Sequence, residues 1–166
     1  MSAEIAIANL RNRADMLETA ANRIWHAWSK HRGLTLKQVV QKLQRIKASD
    51  DEFTLIAHTG DMFVGTISLI KSDLVERPNL TPWIAAVWVE NDFRKHRVGS
   101  ALVKAAERLA ISNGRDVLYL CCAPELRPFY SGLGWTEIET NIGKSGSCIF
   151  KRQNLKVAVS TDSDLC

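Results

Sequence analysis

VWVENDFRKHRVGSALVKAAERLA, the stretch from Val87 to Ala110, decides the fold. It opens inside an apolar run, Trp83–Val89, with no polar residue on either face, as in a central strand. Asn91 and Asp92 end that run, and a basic loop follows through Arg94, Lys95, His96 and Arg97. From Arg97 or Val98 the period becomes helical, with Val98, Leu102, Ala105, Leu109 and Ala110 on one face, until Asn113-Gly114 closes the helix. The first turn of a helix has unpaired N–H groups and the positive end of the dipole, so it attracts phosphate. Gly99 and Ser100 let a ligand approach that backbone closely, and the four basic residues add charge. The physical reading is a pyrophosphate cradle.

Downstream, Asp116–Cys122 reads as a second buried strand, followed by Pro124 and a short helix over Glu125–Ser131. Thr136–Thr140 and Ser147–Lys151 are two last strands, and residues from about Lys156 form a polar tail. Upstream, Glu4–Leu10 reads as an edge strand. Asp15 is placed as a helix N-cap with Glu18 three residues on, ahead of Leu17, Ala21, Ile24 and Trp28 at helical spacing and a stop at Gly33. Thr35 and Gln38 form a second capping box before Leu36, Val39 or Val40, Leu43 and Ile46. The opposite face, with Lys37, Lys42, Arg45 and Lys47, is read as solvated. Phe53–Ala57 and Met62–Ile70 form a hairpin across His-Thr-Gly-Asp. Antiparallel pieces around one strand–helix–strand unit imply an α/β (α+β) fold with a mixed sheet.

Composition narrows the classes. The 166 residues suit one domain, over 1–155, with 156–166 as a flexible tail. Hydrophobic residues at 46% and charged ones at 24% argue against a disordered or fibrous chain. No apolar run approaches the 18 residues or so of a membrane span, and no secretory signal opens the chain, so a cytoplasmic protein is expected. The net charge of +4 leaves anionic ligands open without requiring them. Neither Cys121, Cys122, Cys148 and Cys166 nor the four histidines have metal-ligand spacing, so no metal is expected. Gly143-Lys144-Ser145 imitates the end of a P-loop, but Ile138 stands where the first glycine is required.

Arg94–Ser100 resembles the acyl-CoA-binding loop of the GNAT N-acetyltransferase family, whose pattern is Arg or Gln, two residues, Gly, one residue, then Gly or Ala after the fourth strand. Arg94 and Gly99 match, and Arg97 replaces the middle glycine. RPFYSGLGW, Arg127–Trp135, is similar to the family's Phe-Tyr-x-x-x-Gly-Phe signature, and Val64–Ile67 to its second and third strands. The resemblance spans roughly residues 4–155 and implies a mostly antiparallel central sheet whose fourth and fifth strands splay apart.

It also implies a site. The backbone of Val87, Trp88 and Val89 would pair with the pantetheine arm of acetyl-CoA as an added strand does. The N–H groups of Lys95, His96, Arg97, Val98, Gly99 and Ser100 would hold the pyrophosphate beside Arg94. Tyr130 matches the family's usual proton donor to the departing thiolate. No general base is assigned: Trp83 stands where several relatives have glutamate, and neither Glu90 nor Glu52 is fixed near the site. Trp25, Trp28 and Trp83, with the acids Asp73 and Glu76, are placed on the acceptor side, where aromatics and acids suit a cation. The expected reaction is acetyl transfer from acetyl-CoA to a primary amine of a small molecule or protein. Two other classes stay open: a non-catalytic acyl-CoA sensor and, behind it, a basic nucleic-acid-binding module. The resemblance leaves a homodimer open as well.

Overall fold

A computed structural model describes residues 4–153, so the expected tail lies outside the described residues. Seven strands form one sheet: β1 (Ala6–Asn9), β2 (Phe53–Thr59), β3 (Met62–Ile70), β4 (Trp83–Val89), β5 (Val117–Cys122), β6 (Thr136–Ile142) and β7 (Ser147–Gln153). Their order is β1-β2-β3-β4-β5-β7-β6, with every neighbouring pair antiparallel except β4 and β5. The helices are α1 (Leu17–Ala27), α2 (Leu36–Ala48), α3 (Val98–Ser112) and the short α4 (Arg127–Gly132). This is the mixed, mostly antiparallel sheet that the sequence predicts.

Two apolar layers hold the sheet. On one face Leu17, Ala21 and Ile24 of α1 and Val39, Leu43 and Ile46 of α2 cover Ile56, Ile70 and Trp83. On the other, Leu102, Val103, Ala106 and Ala110 of α3 cover Leu55, Ile67, Ile84, Leu118 and Leu120. Each of the larger side chains, Val, Leu or Ile, contributes roughly 1.5–3 kcal/mol on leaving water, which sets α3 firmly behind β4 and β5.

Local departures have physical causes. Asp15 does not cap α1: it pairs with Arg13 at 2.9 Å, and the helix starts after a 3-10 turn with Met16 as an N-cap that makes no side-chain bond. The helix stops at Ala27, and a 3-10 turn over Ser29–Arg32 carries the chain to Gly33, left-handed at φ 78°. The second capping box forms as expected. The first hairpin turns through Gly60-Asp61 alone, because Thr59 already pairs with Met62. The expected helix over Glu125–Ser131 divides into a 3-10 turn, Pro124–Leu126, and α4.

Candidate active site

The sheet opens where β4 meets β5. These strands pair in parallel only at Trp83–Tyr119 and Ile84–Leu120, and beyond Ile84 that edge of β4 is free of β5. A bulge sharpens the opening: Ser68 faces Ala85 and Thr66 faces Trp88, so one residue of β3, Ile67, opposes both Ala86 and Val87. Ala86 takes a left-handed φ of 54° to make the bend. Ala85 and Ala86 consequently share a face, and the alternation after them shifts by one. Val87 and Val89 pack toward α3, and Trp88 toward α1.

The resulting cleft measures about 420 Å³. Ala85, Ala86 and Val87 line one wall, Leu120, Cys121 and Cys122 the other, and Tyr130 also borders it. Tyr130 is 5% exposed, packed by Phe129, Trp135 and Phe150, and its hydroxyl makes no hydrogen bond with any described residue. Burial, with the Cys122 thiol beside it, holds this phenol above the ordinary tyrosine range, so it keeps its proton at neutral pH. The Cys122 thiol itself is pushed up to about 12, mainly by burial.

The loop ahead of α3 is bent by two left-handed residues, Lys95 at φ 70° and Arg97 at φ 61°. Arg97 is the N-cap of α3 and gives no side-chain bond to the first turn. The N–H groups of Val98, Gly99 and Ser100 therefore lie beyond intrahelical reach with no side-chain cap to meet them. Gly99 has no backbone conflict: a Cβ there would meet only Phe129 Cζ at 3.5 Å and Val89 Cγ2 at 3.9 Å. Lys95, His96 and Arg97 are exposed. Arg94 turns back, its Nε–H donating to the Val89 carbonyl at 2.9 Å and its guanidinium lying 4.7 Å from the Trp88 ring centre.

The three tryptophans assigned to the acceptor separate. Trp28, 37% exposed, lines the cleft and meets Trp88 edge-on at 6.3 Å. Trp25 points elsewhere, donating to the Leu34 carbonyl at 2.7 Å beneath Lys30. Trp83 is fully buried, with its indole N–H on the Leu80 carbonyl at 2.6 Å, so its assignment to the acceptor side is corrected to core. Neither carboxylate considered as a base lines the cleft. Glu52 is buried against Arg45 at 2.7 Å and the Lys71 N–H at 3.0 Å, and Glu90 pairs with Arg23 at 2.5 Å. Asp73 does line it, with two residues the sequence reading left outside the site, Arg32 and Lys42. In sequence Lys42 belongs to a face that looks solvated; its place here is three-dimensional, because the loop after β3 brings Asp73 to the same cleft.

Among the described residues no helix is long and apolar enough to cross a membrane, and no three His, Cys, Asp or Glu side chains group to hold a metal ion. No curated protein matches the chain. Solved structures do. An aminoglycoside 6'-N-acetyltransferase complexed with coenzyme A superposes with a TM-score of 0.71 at 16% identity, over 89% of this chain and 96% of that one. An acetyltransferase from Streptococcus agalactiae gives 0.68 at 15%, over 92% and 99%. The aminoglycoside 6'-N-acetyltransferase from Enterococcus faecium gives 0.67 at 16%, over 89% and 96%. At these identities the likeness is one of fold. The Acetyltransferase (GNAT) family, however, matches residues 16–135 of the sequence itself, a span that holds α1 to α4, β4, β5 and the basic loop. With both the sequence and the parted strands in agreement, the chain belongs to the GNAT family of acetyltransferases.

Proposed function

We propose that this protein is an acetyl-CoA-dependent N-acetyltransferase acting on a primary amine in a ternary complex. The observation that carries the reading is the cleft where β4 leaves β5, with Tyr130 bordering it and the uncapped start of α3 beyond the end of β4. The residues present fit the co-substrate. The free edge of Val87, Trp88 and Val89 suits the amide-bearing arm, and the first-turn N–H groups of α3 with Lys95, His96 and Arg97 suit a pyrophosphate.

Bound acetyl-CoA would supply a thioester, whose C–S bond breaks as the amine nitrogen forms the new C–N bond. A backbone N–H near the Ala86 bulge would meet the oxyanion, a reading supported by the register shift that takes residues there out of the ladder. Tyr130 would give its proton to the departing thiolate. A simple thiol has a pKa of about 8.5, so a phenol raised by burial is an uphill donor that acts late, as charge gathers on sulfur. An acceptor ammonium of pKa near ~10.4 must lose a proton before attack. Glu52 and Glu90 are tied to arginines, so neither is assigned as the base that takes it.

Thermal unfolding with acetyl-CoA, CoA and ATP tests the reading, followed by thiol release with an amine panel. At 100 times its dissociation constant a ligand adds about 2.7 kcal/mol, a rise of roughly 5–11 °C in a domain this size. The expected result is a rise with acetyl-CoA and CoA but not ATP, and thiol release with an amine. A rise without thiol release from any amine would favour a sensor. No rise at all would overturn the reading.

A further inference from the structure

The cleft changes character from its floor to its mouth. Ile84 and Leu120 in its walls are buried, and Ala85 and Ala86 beside them are apolar, whereas at its exposed mouth stand three charged side chains from three separate elements, Arg32 and Lys42 exposed and Asp73 partly so. Arg32 comes from the turn after α1, Lys42 from α2 and Asp73 from the loop between β3 and β4. Asp73 is half-buried, and burial raises its carboxyl above the usual range although Arg32 and Lys42 both pull it down. The two cations are thus near enough to be felt, yet neither forms one of the ion pairs found among the described residues. Cys121 on the opposite wall senses both Asp73 and Arg32, so these charges bear on the cleft space. Elsewhere in this protein a recessed carboxylate is closed by an arginine, as Glu52 is by Arg45 at 2.7 Å. At the mouth the charges are left separated, two positive and one negative.

That pattern has a complement. We propose that the acceptor is a small amine carrying its own anionic group, an amino acid or an amino phosphate ester, with the anion held by Arg32 and Lys42 and the ammonium drawn to Asp73. The proposal rests on the acetyltransferase reading and names its substrate class. A guanidinium offers two parallel N–H donors to a carboxylate or phosphate, and an ammonium supplies a second point charge. An ammonium beside Asp73 also has a carboxylate at hand for the proton it must lose before attack. The half-exposed ring of Trp28 walls this mouth and offers an apolar face to the rest of the molecule. A polycation meets the opposite balance, with two like charges against one partner, and is disfavoured by the same arrangement.

The test is thiol release from acetyl-CoA with five acceptor sets: free amino acids, their methyl esters, phosphoethanolamine, ethanolamine, and the polycations spermidine and an aminoglycoside. Expected is turnover of an amino acid or of phosphoethanolamine, with kcat/KM at least tenfold above that of the ester or of ethanolamine, which lack the anionic group. Which of the two responds separates a carboxylate from a phosphate. The double variant Arg32→Ala, Lys42→Ala changes two exposed side chains, so the fold survives. It should raise KM for the preferred acceptor at least tenfold, with kcat falling less than threefold and the preference over the analogue without the anionic group collapsing to within twofold. The stabilisation by CoA should be unaltered. Equal or better turnover of the esters or polycations overturns the proposal, as does an acetyl-CoA-stabilised enzyme that releases thiol with none of the anionic amines. Loss of CoA stabilisation in the wild-type protein instead overturns the acetyltransferase reading beneath it.

Discussion

Tyr130 carries the most chemistry on the fewest atoms. Its ring is fixed by Phe129, Trp135 and Phe150, and the hydroxyl takes no bond from the described residues, so Tyr130→Phe removes one proton donor and leaves the packing intact. The expected outcome is a fall in kcat of at least tenfold, with CoA stabilisation unchanged; an unchanged kcat would reduce Tyr130 to a packing residue. This residue was legible because a short motif, FYSGLG, carries it. The neighbouring tryptophans were not. Trp83 and Trp28 look alike in sequence, yet one is wholly buried and the other lies open beside Trp88, a difference set by which elements cover them. Arg97 shows the reverse case. The family's glycine at that position is explained by the left-handed φ of 61°, which costs an L-residue roughly 1–2 kcal/mol, and the arginine adopts it all the same.

At the scale of elements, β4 is the part that sequence described least well. All seven residues from Trp83 to Val89 are apolar, so no break in alternation marks the bulge, and Ala86 does not advertise a positive φ as glycine does. Its partner across the sheet does carry a signal. A Cβ on Gly65 would stand 2.7 Å from the Trp88 carbonyl oxygen and 3.2 Å from Leu102 Cδ1, so this glycine is what lets β3, β4 and α3 close up. Gly65→Ala must push backbone from backbone, with an expected loss of about 1–3 kcal/mol. The displaced residues, 87 to 89, form the edge proposed for the acyl-CoA arm, so CoA affinity should fall along with the urea midpoint. Gly99→Ala is the contrast: its Cβ makes ordinary contacts with Phe129 and Val89 and removes backbone freedom from the unfolded chain, worth about 0.4–1 kcal/mol, so stability should hold or rise. If Gly65→Ala unfolds no earlier than wild type, the close approach is not what sets the strand spacing.

For the whole molecule, the cleft sits over the core that α3 builds, and that placement gives the fold a pH signature. Tyr130 and Cys122 both belong to this core cluster, and both keep their protons because charge would be stranded in an apolar layer. The unfolded chain has no such constraint: its Cys122 thiol ionises at about 8.5 and its tyrosine at about 10. Between those values and the raised folded ones, the folded protein binds more protons than the unfolded one, so stability falls as pH rises. Below about pH 8.5 the thiol's contribution is fully present and flat. Above it the loss approaches about 1.4 kcal/mol per pH unit for one group, until the folded thiol itself titrates at about 12. Urea unfolding at steps from pH 7.5 to 10 should therefore show a midpoint that is level at first and then declines. Cys122→Ala should cost a roughly constant increment below pH 8.5 through its lost packing, and then decline less steeply than wild type from pH 8.5 to 10, before the tyrosine's own window opens. Parallel curves for the two proteins would mean that the thiol is solvated when folded, and that the floor of the cleft is wetter than its lining implies.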